Sequence, residues 1–173
     1  NNAGNAGSQG FPGFVDFVDS DPADWHRFFD VNLFGVMHCT KASLPSMIAA
    51  GSGRVITIVS DAARHGESKL AAYGAAKAGA AGFCRSIARE VGRHAITVNC
   101  ISLGNIVTPA TAPPPPETPE DEAREKAFLR PYVIRRRGRP DDAAGLVAYL
   151  ASDLAQWVTG QTYPVNGGYT FSL

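Results

Sequence analysis

The 173-residue sequence predicts a single domain of the α/β class, built on a mainly parallel β-sheet. Two short apolar runs rich in β-branched residues, Arg54–Ser60 and Ile96–Ile101, lack the polar alternation of a half-exposed strand. Such runs suit strands that are buried on both faces of a parallel sheet. Segments with helical features flank them, and this alternation of helices and strands is typical of a layered α/β fold.

The first predicted helix follows a polar, glycine-rich loop at residues 1–10, extends from Asp21 to about Ala50 and is expected to stop at Gly51. Asp21 can cap this helix, and Pro22 suits its first position. Pro45 lies inside the segment and is expected to kink or interrupt the helix, because proline has no amide hydrogen.

The remaining elements follow the first strand in a regular order. They are a helix at about 71–92, the second strand, a proline-rich stretch at 109–119, helices at about 119–130 and 140–152, and a last strand at 161–165. Six prolines make 109–119 an extended, semi-rigid loop. Pro164 argues that the last strand lies at a sheet edge.

Composition and charge exclude several function classes. Sixteen basic residues balance sixteen acidic ones, which argues against a nucleic-acid or membrane-surface protein. No apolar run approaches the ~18 residues that a transmembrane helix needs. The three cysteines lack CxxC spacing and the four histidines lack an HExxH pattern, so neither a disulfide framework nor a metal site is expected. This cysteine usage indicates a reducing, cytoplasmic location.

Three residues form the candidate catalytic group. Tyr73 and Lys77 lie four residues apart on the second predicted helix and therefore share one face. Ser60 ends the preceding strand, at the sheet edge where parallel α/β folds bind ligands. A Tyr-x-x-x-Lys spacing alone is also common in surface pairs. The catalytic interpretation therefore depends largely on Ser60.

These residue types suit proton transfer at an alcohol oxygen. The phenol of tyrosine has a pKa of about 10, and a nearby ammonium is expected to lower that pKa. A tyrosine tuned in this way can exchange a proton with a substrate hydroxyl, which a serine can hold by a hydrogen bond. The reaction is completed when a hydride leaves the carbon, and this hydride requires a cofactor as its acceptor.

Seven segments in chain order resemble the short-chain dehydrogenase/reductase family. They are NNAG at 1–4, DVNLFG at 30–35, IVSDAARHG at 58–66, YGAAKAG at 73–79, ITVNCISLG at 96–104, RRGRPDD at 136–142 and TGQTYPVNGG at 159–168. The resemblance implies a Rossmann-type, doubly wound parallel sheet and an oxidoreductase that transfers hydride between NAD or NADP and a secondary alcohol or ketone. Ser60, Tyr73 and Lys77 match the family's catalytic positions.

The resemblance also implies roles for further residues. Asn32 would hold a helix kink and a water linked to Lys77, while Lys77 and Tyr73 would also contact the cofactor. The other implied cofactor contacts are Asn2 and Gly4 near the adenosine, and Gly104, Ile106 and Thr108 near the nicotinamide. Two alternatives stay open: Asn32 could simply satisfy backbone groups, and Thr108 could cap the following loop.

The sequence departs from the family pattern in two places. Leu103 precedes Gly104 where the family usually has proline, and the loss of this proline loosens the turn. The glycine-rich loop that binds the pyrophosphate is absent, since Gly4, Gly7 and Gly10 have the wrong spacing. We therefore expect residues 1–173 to form a partial domain that lacks the first strands, with about eighty residues missing. The choice between NAD and NADP stays open.

Substrate and partners are less clearly encoded. Residues 109–132 correspond to the family's substrate lid. A basic cluster follows it, formed by Arg130, Arg135, Arg136, Arg137 and Arg139. This cluster could bind an anionic substrate, such as a carboxylate or a hydroxyacyl-coenzyme A, or it could be a solvated face or a site of subunit contacts. A homodimer or homotetramer is expected to form through the helices around 24–50 and 71–92. The alternative function is a non-catalytic remnant that acts as an assembly subunit.

Overall fold

The computed structural model describes residues 1–2, 4, 14–109 and 111–171. The helices and strands are, in chain order, α1 (Pro22–Phe29), α2 (Gly35–Ala50), β1 (Gly53–Ser60), α3 (Ala71–Val91), β2 (Ile96–Leu103), α4 (Pro119–Leu129), α5 (Pro140–Ala151) and β3 (Thr162–Val165). Each predicted element is present. The largest differences are at the carboxyl end of β2, which continues to Leu103, and within the first predicted helix.

The three strands form one parallel sheet in the order β1-β2-β3. Within the described residues β3 pairs only with β2, so Pro164 lies in an edge strand as predicted. Asn1 lies along the other side of β1, where its carbonyl accepts the Ile58 N–H at 2.9 Å and its nitrogen donates to the Ile56 carbonyl at 2.8 Å. Asn1 therefore extends the hydrogen bonding of the sheet beyond β1.

Helices cover both faces of the sheet, which confirms the α/β fold class. On one face, α2 and α3 bury a cluster that includes Val59, Ala80 and Val98. On the other face, Leu150 of α5 packs on Ile101. All of β2 except its last residue is buried, as predicted. The expectation of burial on both faces is wrong for β1, where every second residue stays half-buried because α5 covers that side incompletely.

The first predicted helix is interrupted at Asp30–Phe34, which form a π-helical turn between α1 and α2. The Gly35 N–H bonds to the Asp30 carbonyl, and the Asn32 side-chain amide donates to the Phe28 carbonyl at 2.9 Å. The predicted interruption at Pro45 is therefore wrong, because α2 continues through this residue. Pro45 lies on the exposed side of the helix, where water can satisfy the carbonyl that loses its partner.

The predicted helix ends are confirmed by their capping geometry. The Asp21 carboxylate accepts the Ala23 N–H at 2.8 Å at the start of α1. Gly51 ends α2 with a φ of +62°, a left-handed conformation that glycine adopts without strain. Among the described helices, none combines the length and apolarity required to cross a membrane.

Candidate active site

Ser60 and Tyr73 meet at the carboxyl edge of the sheet. Ser60 is the last residue of β1, and Tyr73 lies in the first turn of α3. Their side chains lie close enough for the Ser60 hydroxyl to lower the pKa of the Tyr73 phenol. The Ser60 hydroxyl oxygen also accepts the Ala62 N–H at 3.2 Å, which fixes the loop after the strand. The structure thus brings together the predicted strand-end serine and helix tyrosine.

Lys77 lies one helical turn after Tyr73 and is only 4% exposed. Its ammonium group donates to the Ile58 carbonyl at 2.9 Å and lies 5.9 Å from the centre of the Tyr73 ring. The interpretation of the Tyr-x-x-x-Lys spacing as a surface pair is therefore wrong. A buried cation beside a phenol is a costly arrangement that suits a functional site.

The pKa of Tyr73 shifts in the direction opposite to the expected one. Burial raises the pKa of the phenol, the hydrogen bond from Ser60 lowers it less, and the charge of Glu67 raises it further. The Lys77 ammonium, which donates to the Ile58 carbonyl, does not outweigh the effect of burial. Tyr73 is therefore protonated at neutral pH. Burial lowers the pKa of Lys77 to about 8.

The lowered pKa of Lys77 predicts a pH-dependent stability. Between about 8 and the usual 10.5, the unfolded chain holds a proton that the folded chain lacks, so the free energy of unfolding rises with pH. From pH 8 to 9.5 we expect the wild type to gain roughly 1.5 kcal/mol relative to Lys77→Met. Denaturant titrations of both proteins at the two pH values measure this gain. Equal pH dependence in the two proteins would contradict the assignment.

Asn32 is fully buried behind Lys77. Its side-chain amide nitrogen donates to the Phe28 carbonyl, but its side-chain oxygen has no hydrogen-bond partner among the described residues. A Cβ atom added at Gly4 would lie 3.6 Å from both this oxygen and the Lys77 nitrogen. Asn32, Lys77 and Gly4 therefore form one contiguous group, and a buried acceptor without a partner is a position where water binds.

The other predicted cofactor contacts are distributed around the same edge. Gly104 follows β2, and a Cβ atom there would lie 3.0 Å from the Asn166 Cβ. Ile106 lines the cleft in front of Tyr73. Thr108 is exposed and lies in a turn, where its N–H donates to the Thr111 hydroxyl oxygen at 2.9 Å. The Thr108 hydroxyl also lies 3.0 Å from the Thr111 hydroxyl. Both alternatives for Thr108 stay open, and the cofactor roles of these residues and of the exposed Asn2 stay predictions.

Small residues in α3 allow the helix to approach the loop after Ser60. A Cβ atom at Gly74 would lie 3.0 Å from the Ala62 carbonyl oxygen, whereas one at Gly82 would meet only the tip of the Arg85 side chain at 3.8 Å. The close approach at Gly74 brings Tyr73 next to Ser60.

Alanine substitutions at these two glycines test the close approach. We expect Gly74→Ala to lower the free energy of unfolding by roughly 1–3 kcal/mol through overpacking. The control, Gly82→Ala, should raise it by roughly 0.5–1 kcal/mol, because alanine favours an uncrowded helix. Chemical denaturation measures both effects, and equal effects at the two sites would contradict the crowding at Gly74.

Sequence analysis missed the buried carboxylate of Asp61, which directly follows Ser60. One of its oxygens accepts the Ser102 hydroxyl at 2.6 Å, and the other accepts the Asn166 amide and, at 3.1 Å, the Thr170 hydroxyl. Arg64 adds an ion pair at 3.3 Å. The sequence signal was an acidic residue immediately after a buried apolar strand. Asp61 ties the Ser60 loop to β2 and to the C-terminal segment.

A cleft of about 760 Å³ opens in front of Ser60 and Tyr73. Its other lining residues are Phe14, Glu67, Leu70, Leu103, Gly104, Asn105, Ile106, Ala127, Phe128, Pro131, Tyr132 and Tyr169. The five arginines of the predicted basic cluster are absent from this lining. Arg136 is paired with Asp142 at 2.7 Å and Arg137 with Glu125 at 2.6 Å. An anionic substrate bound by these arginines therefore finds no support in the cleft.

Comparisons with known proteins place this geometry in a family. A family model described as enoyl-(acyl carrier protein) reductase matches residues 1–170. A 3-oxoacyl-[acyl-carrier-protein] reductase from Pseudomonas aeruginosa is 41% identical over 149 residues, which are 86% of this chain and 58% of that protein. A cis-4-hydroxycyclohexanecarboxylate dehydrogenase from Sinomonas cyclohexanicum is 38% identical over 150 residues, which are 87% of this chain and 58% of that protein.

A solved structure gives the same result. The crystal structure of an acetoin dehydrogenase from Salmonella typhimurium superimposes with a TM-score of 0.81 at 31% identity, over 97% of this chain and 62% of the other. The chain thus spans less than two thirds of the length of these relatives, whose names specify different substrates. The sequence motifs, the doubly covered parallel sheet and these similarities together show that the chain belongs to the short-chain dehydrogenase/reductase family.

Proposed function

We propose that the protein containing this chain transfers hydride between NAD or NADP and a secondary alcohol or ketone, with Tyr73 as the proton donor and acceptor. The observation that carries this proposal is that Ser60 and Tyr73 lie side by side in the lining of the cleft, with the buried Lys77 ammonium next to them. Related oxidoreductases support the reaction class.

Tyr73 suits the role of general acid in ketone reduction. Its raised pKa keeps the phenol protonated at neutral pH, so the phenol can donate to a carbonyl oxygen that becomes negative. Ser60 can donate a second hydrogen bond to the same oxygen and hold it in place. In alcohol oxidation the phenol must first lose its proton, so its raised pKa favours this direction at alkaline pH.

Lys77 and Asn32 extend the proton path into the protein. The unpartnered Asn32 oxygen and the Lys77 nitrogen flank the position of Gly4. A water between them would satisfy the buried acceptor and could return a proton to Tyr73 through Lys77. The π-helical turn at Asp30–Phe34 directs the Asn32 side chain toward this position.

The described residues fit the nicotinamide end of a dinucleotide. Gly4 leaves open space beside Lys77, and the turn at Gly104 lies across the cleft from Tyr73. Lys77 and Tyr73 would hold the ribose hydroxyls, and Gly104, Ile106 and Thr108 would lie along the nicotinamide. When bound, the cofactor supplies the hydride donor or acceptor that no side chain provides.

A turnover assay tests the proposal. The protein expressed from its complete coding sequence is mixed with NADH or NADPH and a panel of ketones, and the loss of reduced nicotinamide is recorded. We expect turnover with at least one ketone and a preference for one of the two cofactors. Absence of turnover with every pair would contradict the proposal and favour the alternative of a non-catalytic assembly subunit.

We also propose that copies of this chain associate through α2 and α3 in the cytoplasm, where its three free cysteines stay reduced. An apolar groove of about 500 Å³ runs between the two helices and includes Met37, Leu44, Pro45, Ile48, Phe83 and Ile87. A homodimer or homotetramer would cover this groove.

The molecular mass in solution tests the association. We expect Ile48→Glu to lower the mass measured by light scattering to that of a smaller assembly, because a charge in the groove opposes its burial. Leu154→Glu is the control, since Leu154 is 82% exposed and lies outside the groove. An unchanged mass for Ile48→Glu would contradict the proposed interface.

A further inference from the structure

The wall of the cleft opposite Ser60 is aromatic. Tyr132 and Tyr169 stack with their ring centres 4.9 Å apart, and Phe128 stacks on Tyr132 at 6.0 Å. Tyr132 is buried, and the Arg137 guanidinium lies 4.1 Å above the Phe128 ring. These contacts hold the three rings in fixed positions, so the aromatic wall is preformed.

Glu67 is the one charged residue among the described residues that line this cleft. It is half-buried, and no hydrogen bond or ion pair to its carboxylate is found in the described part of the chain. Its charge acts on the phenols of Tyr73, Tyr132 and Tyr169, so it lies within electrostatic reach of all three rings. The carboxylate is therefore available to a ligand.

The nearby basic side chains have other contacts. Arg64 is paired with Asp61, and Lys69 lies 3.7 Å from Asp16. His65 stacks edge-on against Tyr169 at 5.6 Å and is exposed. No lysine or arginine is among the described cleft-lining residues, so the lining carries a net negative charge.

We infer that the substrate carries an organic cation, an ammonium group on an apolar or aromatic body, which Glu67 and the aromatic wall bind while the reacting oxygen lies at Ser60 and Tyr73. A carboxylate next to aromatic faces is a favourable site for such cations, because ion pairing and cation–π attraction act together. The cleft volume of about 760 Å³ is within the range of small-molecule sites. This inference rests on the proposed hydride transfer.

A matched charge series tests the inference. The protein expressed from its complete coding sequence is assayed with three 4-phenylbutan-2-ones that carry a para trimethylammonium, tert-butyl or carboxylate group, so that two methylene groups insulate the reacting carbonyl from the substituent. The first two have the same shape and differ in charge. We expect kcat/KM to be roughly tenfold higher for the cation than for its neutral isostere, and lowest for the anion.

Glu67→Gln should reduce the preference for the cation to about twofold or less, since glutamine keeps the shape and removes the charge. The ratio of the two substrates cancels any effect of Glu67 on the chemistry of Tyr73. Glu90→Gln is the control, because Glu90 is exposed on α3 outside the cleft. Titration of phenyltrimethylammonium into Glu67→Gln and Glu90→Gln measures the affinity for the cation without turnover.

The outcomes separate the two proposals. Turnover of the neutral ketone without a cation preference, or a preference that survives in Glu67→Gln, overturns the inference and leaves the proposed function intact. Absence of turnover with all three ketones and with the broader ketone panel contradicts the proposed function, and the inference is then overturned with it.

Discussion

Tyr73→Phe is expected to lower kcat by roughly 10²- to 10⁴-fold, because the substitution removes the proposed proton donor and keeps the ring. The ring itself contributes to packing, since it lies edge-on to Phe28 at 5.9 Å. Phenylalanine keeps this contact, so the melting temperature should change little. Steady-state kinetics and thermal denaturation of the same preparation measure the two effects.

Tyr149→Phe is the matched control for this prediction. It removes the hydroxyl group of a tyrosine in α5. Tyr149 is 41% exposed and lies outside the cleft lining. We expect its kcat to equal that of the wild type. If Tyr73→Phe retained full activity, another group would have to supply the proton, and the assignment of Tyr73 would be wrong.

Asp61→Ala is expected to lower the free energy of unfolding by about 3–5 kcal/mol. The substitution leaves the Arg64 charge and the donors on Ser102, Asn166 and Thr170 without their common acceptor. Asp61 is fully buried, so water cannot readily replace the lost bonds. Urea denaturation measures the change.

Asp153→Ala is the control for Asp61. Asp153 also forms an ion pair, to Arg54 at 3.0 Å, but its side chain is 98% exposed. Exposed pairs of this kind contribute about 0–1 kcal/mol, so the control should be nearly neutral. Similar losses at the two positions would contradict the view that the buried Asp61 network holds the Ser60 loop to the C-terminal segment.

The sequence predicted the order of elements because each one has a strong local signal. β-branched runs marked β1 and β2, and capping residues such as Asp21 and Gly51 marked helix ends. The i,i+4 spacing placed Tyr73 and Lys77 on one helix face, and the strand end placed Ser60 beside them. These inferences need only periodicity and the geometry of parallel sheets.

Features that depend on tertiary contacts were not predictable in this way. The direction of the Tyr73 pKa shift follows mainly from burial, which depends on how distant segments pack around the phenol. The Asp61 network joins residues more than forty positions apart, and the rings of Phe128, Tyr132 and Tyr169, which line the cleft with Glu67, lie more than sixty positions after it. Local sequence patterns carry no information about such long-range contacts.

Transfer of deuterium from nicotinamide to product is the most direct test of the central claim that Ser60, Tyr73 and Lys77 form a carbonyl-reducing centre. A ketone is incubated with the protein and with NADH or NADPH deuterated at the transferable position, and the alcohol is analysed by mass spectrometry. We expect one deuterium on the carbinol carbon of the alcohol with the wild type and almost none with Tyr73→Phe. An unlabelled alcohol, or equal labelling by the two proteins, would contradict it.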